Sequence, residues 1–180
     1  MRPRQNAGMS FKSWRSIGVV LLTGVAAGCA TAERIDAAGE VHALMIAIRD
    51  DDRARFEAHV DRPALEQELE ARILARTGAA DTSDAVRTLG AVLARPLSRL
   101  AGDALIRPEV FRSVAEFYGY QSARPLPSQL AIAAALRSLP DGRVCAAKKK
   151  EGPCLITFAN EQGVWRLVSF DGDVAMLRLP

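Results

Sequence analysis

The stretch Ile35 to Arg76 constrains the fold most, because it holds two apolar stripes of helical period separated by an acidic break. Val41, Leu44, Met45 and Ile48 fall at i, i+3, i+4 and i+7, one face of a helix. Asp50-Asp51-Asp52 ends that stripe, and Asp52 is suited to cap a short helix carrying Phe56 and Val60. Pro63 fits the first turn of a further helix, where its missing N–H costs nothing. Leu65, Leu69 and Ile73 follow at every fourth residue. Acidic Glu66, Glu68 and Glu70 lead and basic Arg72 and Arg76 follow, the order the helix dipole favours, with Gly78 as the stop.

The helical pattern continues to Leu139. Val86, Leu89, Leu93, Leu97 and Leu100 predict an amphipathic helix that Pro96 should kink or split, closed by Gly102. Pro108 opens a helix with Phe111, Val114, Ala115 and Tyr118 on one face. Gln121 to Pro127 reads as a connector, and Ser128 as the cap of a helix carrying Ile132, Ala135, Leu136 and Leu139. After Pro140-Asp141-Gly142 the period changes. VCAA, CLITFA, VWRLVSF and VAMLRL are β-prone runs split by KKKEG, NEQG and DGD, a four-stranded antiparallel meander. A tight turn over Asn160 to Gly163 sets Phe158 opposite Trp165 and Ile156 opposite Leu167; the next turn sets Leu167 opposite Met176. The expected class is α+β, with helices from residues 35–139 covering the apolar face of strands within 143–180. NTF2-like and cystatin-like folds offer the analogy, and such folds often enclose an apolar pocket.

Within this stretch, AIRDDDRARFEAHVDRPALEQELEARI resembles the opening of a family of small proteobacterial envelope proteins, domain of unknown function 2939. The resemblance rests on a short helix, an Asp-rich break, the Val-Asp-x-Pro-Ala-Leu motif at Val60 to Leu65, and a long polar helix behind it. Ala104 to Glu109 (ALIRPE) is similar to the family's second motif. The resemblance covers Ile35 to Val114. It implies a fold and no reaction.

The N-terminus reads as an address. Arg2, Arg4, Lys12 and Arg15 precede an uncharged run of 11 residues, Ile17 to Ala27, of signal-peptide length and too short to span a bilayer. Ala26-Ala27-Gly28-Cys29 resembles a lipobox, departing from it by Ala26 where Leu is preferred. The expectation is a signal peptide over residues 1–28, lipidation of Cys29, a polar tether over 29–34, and one domain over 35–180. Plain secretion, cleaved after Ala30-Thr31-Ala32, is the alternative. The resemblance to lipoproteins, with Ala30 rather than Asp behind the Cys, implies the outer membrane facing the periplasm. Removing the leader's four basic residues leaves 20 Lys+Arg against 21 Asp+Glu, a net charge of −1, so the basic precursor is no sign of nucleic-acid binding.

Of the three cysteines, Cys29 is reserved for lipid, which leaves Cys145 and Cys154. A hairpin turning at Lys149-Lys150 sets these two opposite one another, and an envelope location permits a disulfide. A structural staple is preferred to a redox pair, since no C-x-x-C spacing or thiolate-stabilising setting is visible. His42 and His59 are the only histidines and lack metal spacing, and Asp50-Asp51-Asp52 lacks the rest of a calcium loop. Nucleophile-elbow, phosphate-loop and dinucleotide motifs are absent. No catalytic, cofactor or metal residue is assigned. The expected function is a non-catalytic lipoprotein, membrane-bound through its lipid, that binds an envelope protein or a small apolar ligand. The alternatives are an outer-membrane assembly factor using an exposed apolar patch, and a small enzyme built from His59, Asp61 and Tyr118.

Overall fold

A computed structural model describes residues 14–79, 83–117, 119–121, 123–149 and 151–171, with backbone alone for residues 14–29, 77 and 79. The helices are α1 (Trp14–Asp50), α2 (Arg53–Ala58), α3 (Arg62–Ala79), α4 (Asp84–Leu105), α5 (Pro108–Phe117) and α6 (Gln129–Ala135). They precede β1 (Leu136–Ser138), β2 (Val144–Ala147), β3 (Cys154–Glu161) and β4 (Val164–Phe170). The strands lie in the order β1-β2-β3-β4, each pair antiparallel, so the α+β expectation holds.

The core forms where α1 lies on the sheet. Val41 and Leu44 are buried as the spacing predicts, beside Phe158, Trp165 and Leu167. Ala37, Ala38 and Ala47 are buried with them, small side chains at the helix–sheet contact. Residues 30–34, expected as a tether, are part of α1, and Ser138 Oγ donates to the Ala30 carbonyl at 3.1 Å. Asp51 takes a left-handed φ of 58° at the end of α1. Asp52 then caps α2 by accepting from Arg55 N at 3.0 Å. Phe56 is fully buried, edge-on to Phe111 of α5 with ring centroids 5.2 Å apart.

Val60-Asp61 joins this helical half to the sheet. Leu167 N donates to His59 O and Asp61 N to Leu167 O, both at 2.9 Å, a parallel bridge onto β4. The Asp61 carboxylate accepts from Ala64 N at 3.0 Å and so caps α3, with Pro63 in the first turn as expected. The motif read at residues 60–65 is thus a strand-to-helix junction.

Three expectations are corrected. First, α4 does not bury its large apolar stripe. It turns Ala94, Ser98 and Gly102 inward, one small residue per turn, and packs on α3 so closely that a Cβ at Gly102 would lie 2.8 Å from Glu66 Cγ. Leu93, in the middle of that stripe, is 41% exposed. Pro96 does not split α4; it sits on the exposed side, where water replaces the bond its missing N–H cannot make. Second, Leu136 and Leu139 are not helical. α6 stops at Ala135 and Leu136 enters β1, buried opposite Ala146. Pairing with β2 overrides the helical pattern. Third, the β3–β4 register differs by two residues from the expected one. Gln162 and Gly163 have φ of 54° and 90°, and this two-residue turn pairs Glu161 with Val164, Asn160 with Trp165 and Phe158 with Leu167. A shift of two keeps every side chain on its face, so Phe158, Trp165 and Leu167 are still buried together. Ile156 pairs with Phe170 beyond a bulge. Tyr118, Met176 and the expected strand VAMLRL lie outside the described residues.

Candidate functional site

An apolar cavity of about 80 Å³ lies where α3, the α4–α5 junction and the end of β4 meet. Leu65 and Leu69 come from α3, Leu105 and Ile106 from the junction, Val110, Phe111 and Val114 from α5, and Phe170 from β4. The α3 residues are there because the fourfold spacing puts them on one face. A single water needs about 10–15 Å³ of such space, so the cavity admits a few waters or one branched apolar group. It is well below the ~300–1,000 Å³ of drug-sized ligand sites.

Arg72 lines the cavity, and Arg62 holds the backbone of one lining residue, Ile106. Arg62, at the start of α3, donates to Glu57 of α2 and, at 3.0 Å, to the carbonyl of Ile106. Its other terminal nitrogen has no hydrogen-bond partner, only ionic approaches of 3.6 Å to Asp103 and 4.0 Å to Glu66. The bond to Glu57 holds the Arg62 guanidinium above its ordinary value despite the opposing effect of burial, so it stays cationic. Glu68 and Arg72 are an i, i+4 pair that grips the end of β4. Phe170 N donates to Glu68 at 3.2 Å and Arg72 donates to Phe170 O at 2.8 Å, which holds the Phe170 ring against the cavity and 5.8 Å from Phe111.

Three polar pairs link α1, the α2–α3 junction and the β3–β4 hairpin. Trp165 Nε1 donates to Asp36 at 2.8 Å. His59 Nδ1 approaches Glu40 to 2.9 Å without the angle of a hydrogen bond. A hydrogen bond with Asp61 raises the Glu161 carboxyl above its usual range, burial adds to the rise, and Arg166 opposes it. Of the residues weighed for an enzyme, His59 thus faces a carboxylate and Asp61 caps a helix, and they form no nucleophile–base pair. No group of three or more His, Cys, Asp or Glu able to hold a metal occurs among the described residues.

Cys145 and Cys154 form the expected disulfide, with Cα atoms 5.7 Å apart. They are not direct cross-strand partners. Cys145 pairs with Thr157 and Ala147 with Cys154, across a bulge that brings the two sulfurs together. The side chain of Cys29 lies outside the described residues. No described helix is long and apolar enough to cross a membrane.

The model of the family described as Protein of unknown function (DUF2939) matches residues 21–114, just over half the chain. The chain belongs to this family. No curated protein and no solved structure matches it. The matched region ends at Val114, the last of three α5 residues on the cavity wall, so the DUF2939 segment supplies every lining residue except Phe170. Two segments of the matched region meet there: Leu65 comes from residues 60–65, Leu105 and Ile106 from residues 104–109, and Arg62 of the first binds the backbone of the second. Periodicity places Leu65 and Leu69 on one face of α3, and nothing local in the chain marks Arg62 or Phe170. The i, i+4 spacing of Glu68 and Arg72 was a legible signal; the Ile106 carbonyl that Arg62 binds is 44 residues away.

Proposed function

We propose that this DUF2939 protein is a non-catalytic envelope lipoprotein, anchored through Cys29, that holds a second membrane-associated protein against the apolar face of α4. One observation carries the reading. Val86, Leu89, Val92, Leu93, Leu97 and Leu100 are 41–68% exposed on a single helix, while the same helix buries only small residues. Contiguous apolar surface of this kind marks interaction sites. Burying the exposed part of each side chain gains on the order of 1 kcal/mol. The total, roughly 6 kcal/mol, falls within the ~4–15 kcal/mol that association costs. Such a face holds a partner weakly in free solution and usefully when both are confined to one membrane. The leader and lipobox-like Ala26-Ala27-Gly28-Cys29 supply that confinement, with Ala30 favouring the outer membrane.

The test is a photo-crosslinking residue at Val92 or Leu97 of the full chain in intact envelopes, with exposed Gln67 as the control position. Crosslinks from α4 to a membrane-associated protein, lost in a Leu89→Glu/Leu97→Glu variant that still folds, are the expected result. Equal crosslinking from Gln67 overturns it, and a crosslink only to a second copy replaces the partner with self-association.

A second reading rests on the cavity. Its apolar lining and 80 Å³ volume fit one inserted side chain or a short branched hydrocarbon. Isobutane-sized probes that raise the melting temperature, and lose the effect in Leu69→Phe, test that reading.

A further inference from the structure

The guanidinium of Arg137 is aimed at the disulfide. Arg137 on β1 pairs with Cys145 on β2, and its terminal nitrogen lies 3.2 Å from Cys154 Sγ and 3.6 Å from Cys145 Sγ. A disulfide is neutral and its sulfur a weak acceptor, so a cation gains little from it. A thiolate at the same place gains a charge-assisted contact, and neighbouring Arg or Lys is what lowers a cysteine pKa. The setting therefore favours the reduced, anionic form. The two sulfurs are also unequal. Cys145 is fully buried, whereas Cys154 is half-buried at the base of a turn that exposes Lys148 and Lys149, with exposed Glu151 partly offsetting them.

We propose that Cys145–Cys154 is a redox-active disulfide that takes two electrons from a dithiol, with Arg137 as the positioning residue that stabilises the thiolates released. The thiolate of the dithiol attacks Cys154 Sγ, the sulfur of the less buried cysteine. A new S–S bond forms to Cys154 as the Cys145–Cys154 bond breaks, and Cys145 Sγ departs with the electron pair towards Arg137. The second thiol of the reductant loses its proton and attacks its own sulfur in the mixed disulfide, expelling the Cys154 thiolate beside the same guanidinium. The reductant ends as a disulfide. Its two protons pass to solvent or to the cysteines according to pH. This reading does not depend on the α4 surface.

The experiment equilibrates the full chain in dithiothreitol redox buffers at pH 7.5, under native conditions, and counts alkylated thiols by mass. Wild type is compared with Arg137→Gln and Arg137→Lys. The equilibrium constant for reduction should fall about tenfold in Arg137→Gln, or about 30 mV for this two-electron couple, and substantially less in Arg137→Lys. In reduced wild type at least one thiol should titrate, by thiolate absorbance, below the ordinary value of about 8.5. The difference between wild type and Arg137→Gln should shrink as pH falls through that titration, because a protonated thiol gains nothing from the cation. A purely structural role for Arg137 would move the melting temperature without moving the thiol titration. An equilibrium constant within twofold of wild type in Arg137→Gln overturns the proposal, as does a disulfide reducible only in denaturant. If Arg137→Gln does not fold, the wild-type titration decides alone, and two thiols at or above the ordinary value overturn it.

Discussion

Replacing Arg62 tests whether one side chain holds the cavity region together. Arg62→Met keeps most of the apolar stem and removes the guanidinium. The bonds lost are those to Glu57 and to the Ile106 carbonyl. Hydrogen bonds involving a charged group contribute about 1.5–3 kcal/mol each. The Arg62 side chain is 22% exposed and Glu57 33%, so water replaces part of the ion pair. The carbonyl is less forgiving, since Ile106 is only 3% exposed and a buried acceptor without a partner costs about 1–3 kcal/mol. The combined loss should be about 2–3 kcal/mol. For a chain of this size it lowers the melting temperature by roughly 4–12 °C. Arg62→Lys keeps the charge but cannot reach both acceptors with a planar fork, so it should recover no more than about half. Because the Arg62 pKa is raised in the fold, this stability is fully present below the unfolded arginine value and is lost only as pH rises above it, outside working conditions. Urea unfolding of the three proteins at neutral pH is the assay. Arg62→Met within about 0.5 kcal/mol of wild type, the usual scatter for surface changes, would refute the reasoning. Full recovery by lysine would show that charge, not the fork, is what matters.

Phe56→Ala removes a fully buried ring, and should cost about 3–5 kcal/mol; a cycle with Phe111→Ala should return a coupling of about 0.5–1.5 kcal/mol for the edge-on pair. A coupling near zero would mean that the ring contact itself contributes nothing. Glu161→Gln should raise stability at neutral pH by at most about 0.5 kcal/mol, given a side chain one-third exposed. The sign follows from a carboxyl whose folded value is raised by Asp61: its charged form is penalised above that value, and the penalty fades as pH falls through it. Unfolding curves that separate as pH falls, rather than converge, would contradict this assignment. Cys29→Ser should release the chain from membranes, and the intact mass of the mature protein should begin at a lipidated Cys29; an unmodified N-terminus at Thr31 or Glu33 means plain secretion.

Sequence alone determined the features that act within a few residues. The caps by Asp52 and Ser128 follow from a side-chain oxygen two or three residues before a free backbone N–H. The first-turn proline of α3 is equally local, and so is the alternation that brings Phe158, Trp165 and Leu167 to one face. The disulfide pairing was legible because Cys145 and Cys154 flank one polar hairpin tip, though the bulge that aligns them was not. Tertiary structure decided what depends on partners distant in the chain. Leu136 has a helical neighbourhood, yet it is a strand residue because β2 offers hydrogen bonds and a buried site. α4 has a large apolar stripe and a line of small residues, and periodicity ranks the stripe first. The close approach of α3 selects the small residues instead, since only there can two helix backbones come together, and this leaves six large aliphatic side chains in water. Arg62 and Arg137 look in sequence like two more surface charges. Their roles arise only when folding sets one against a backbone carbonyl and the other against two sulfurs, because a guanidinium acts through the acceptor it meets and not through its neighbours in the chain.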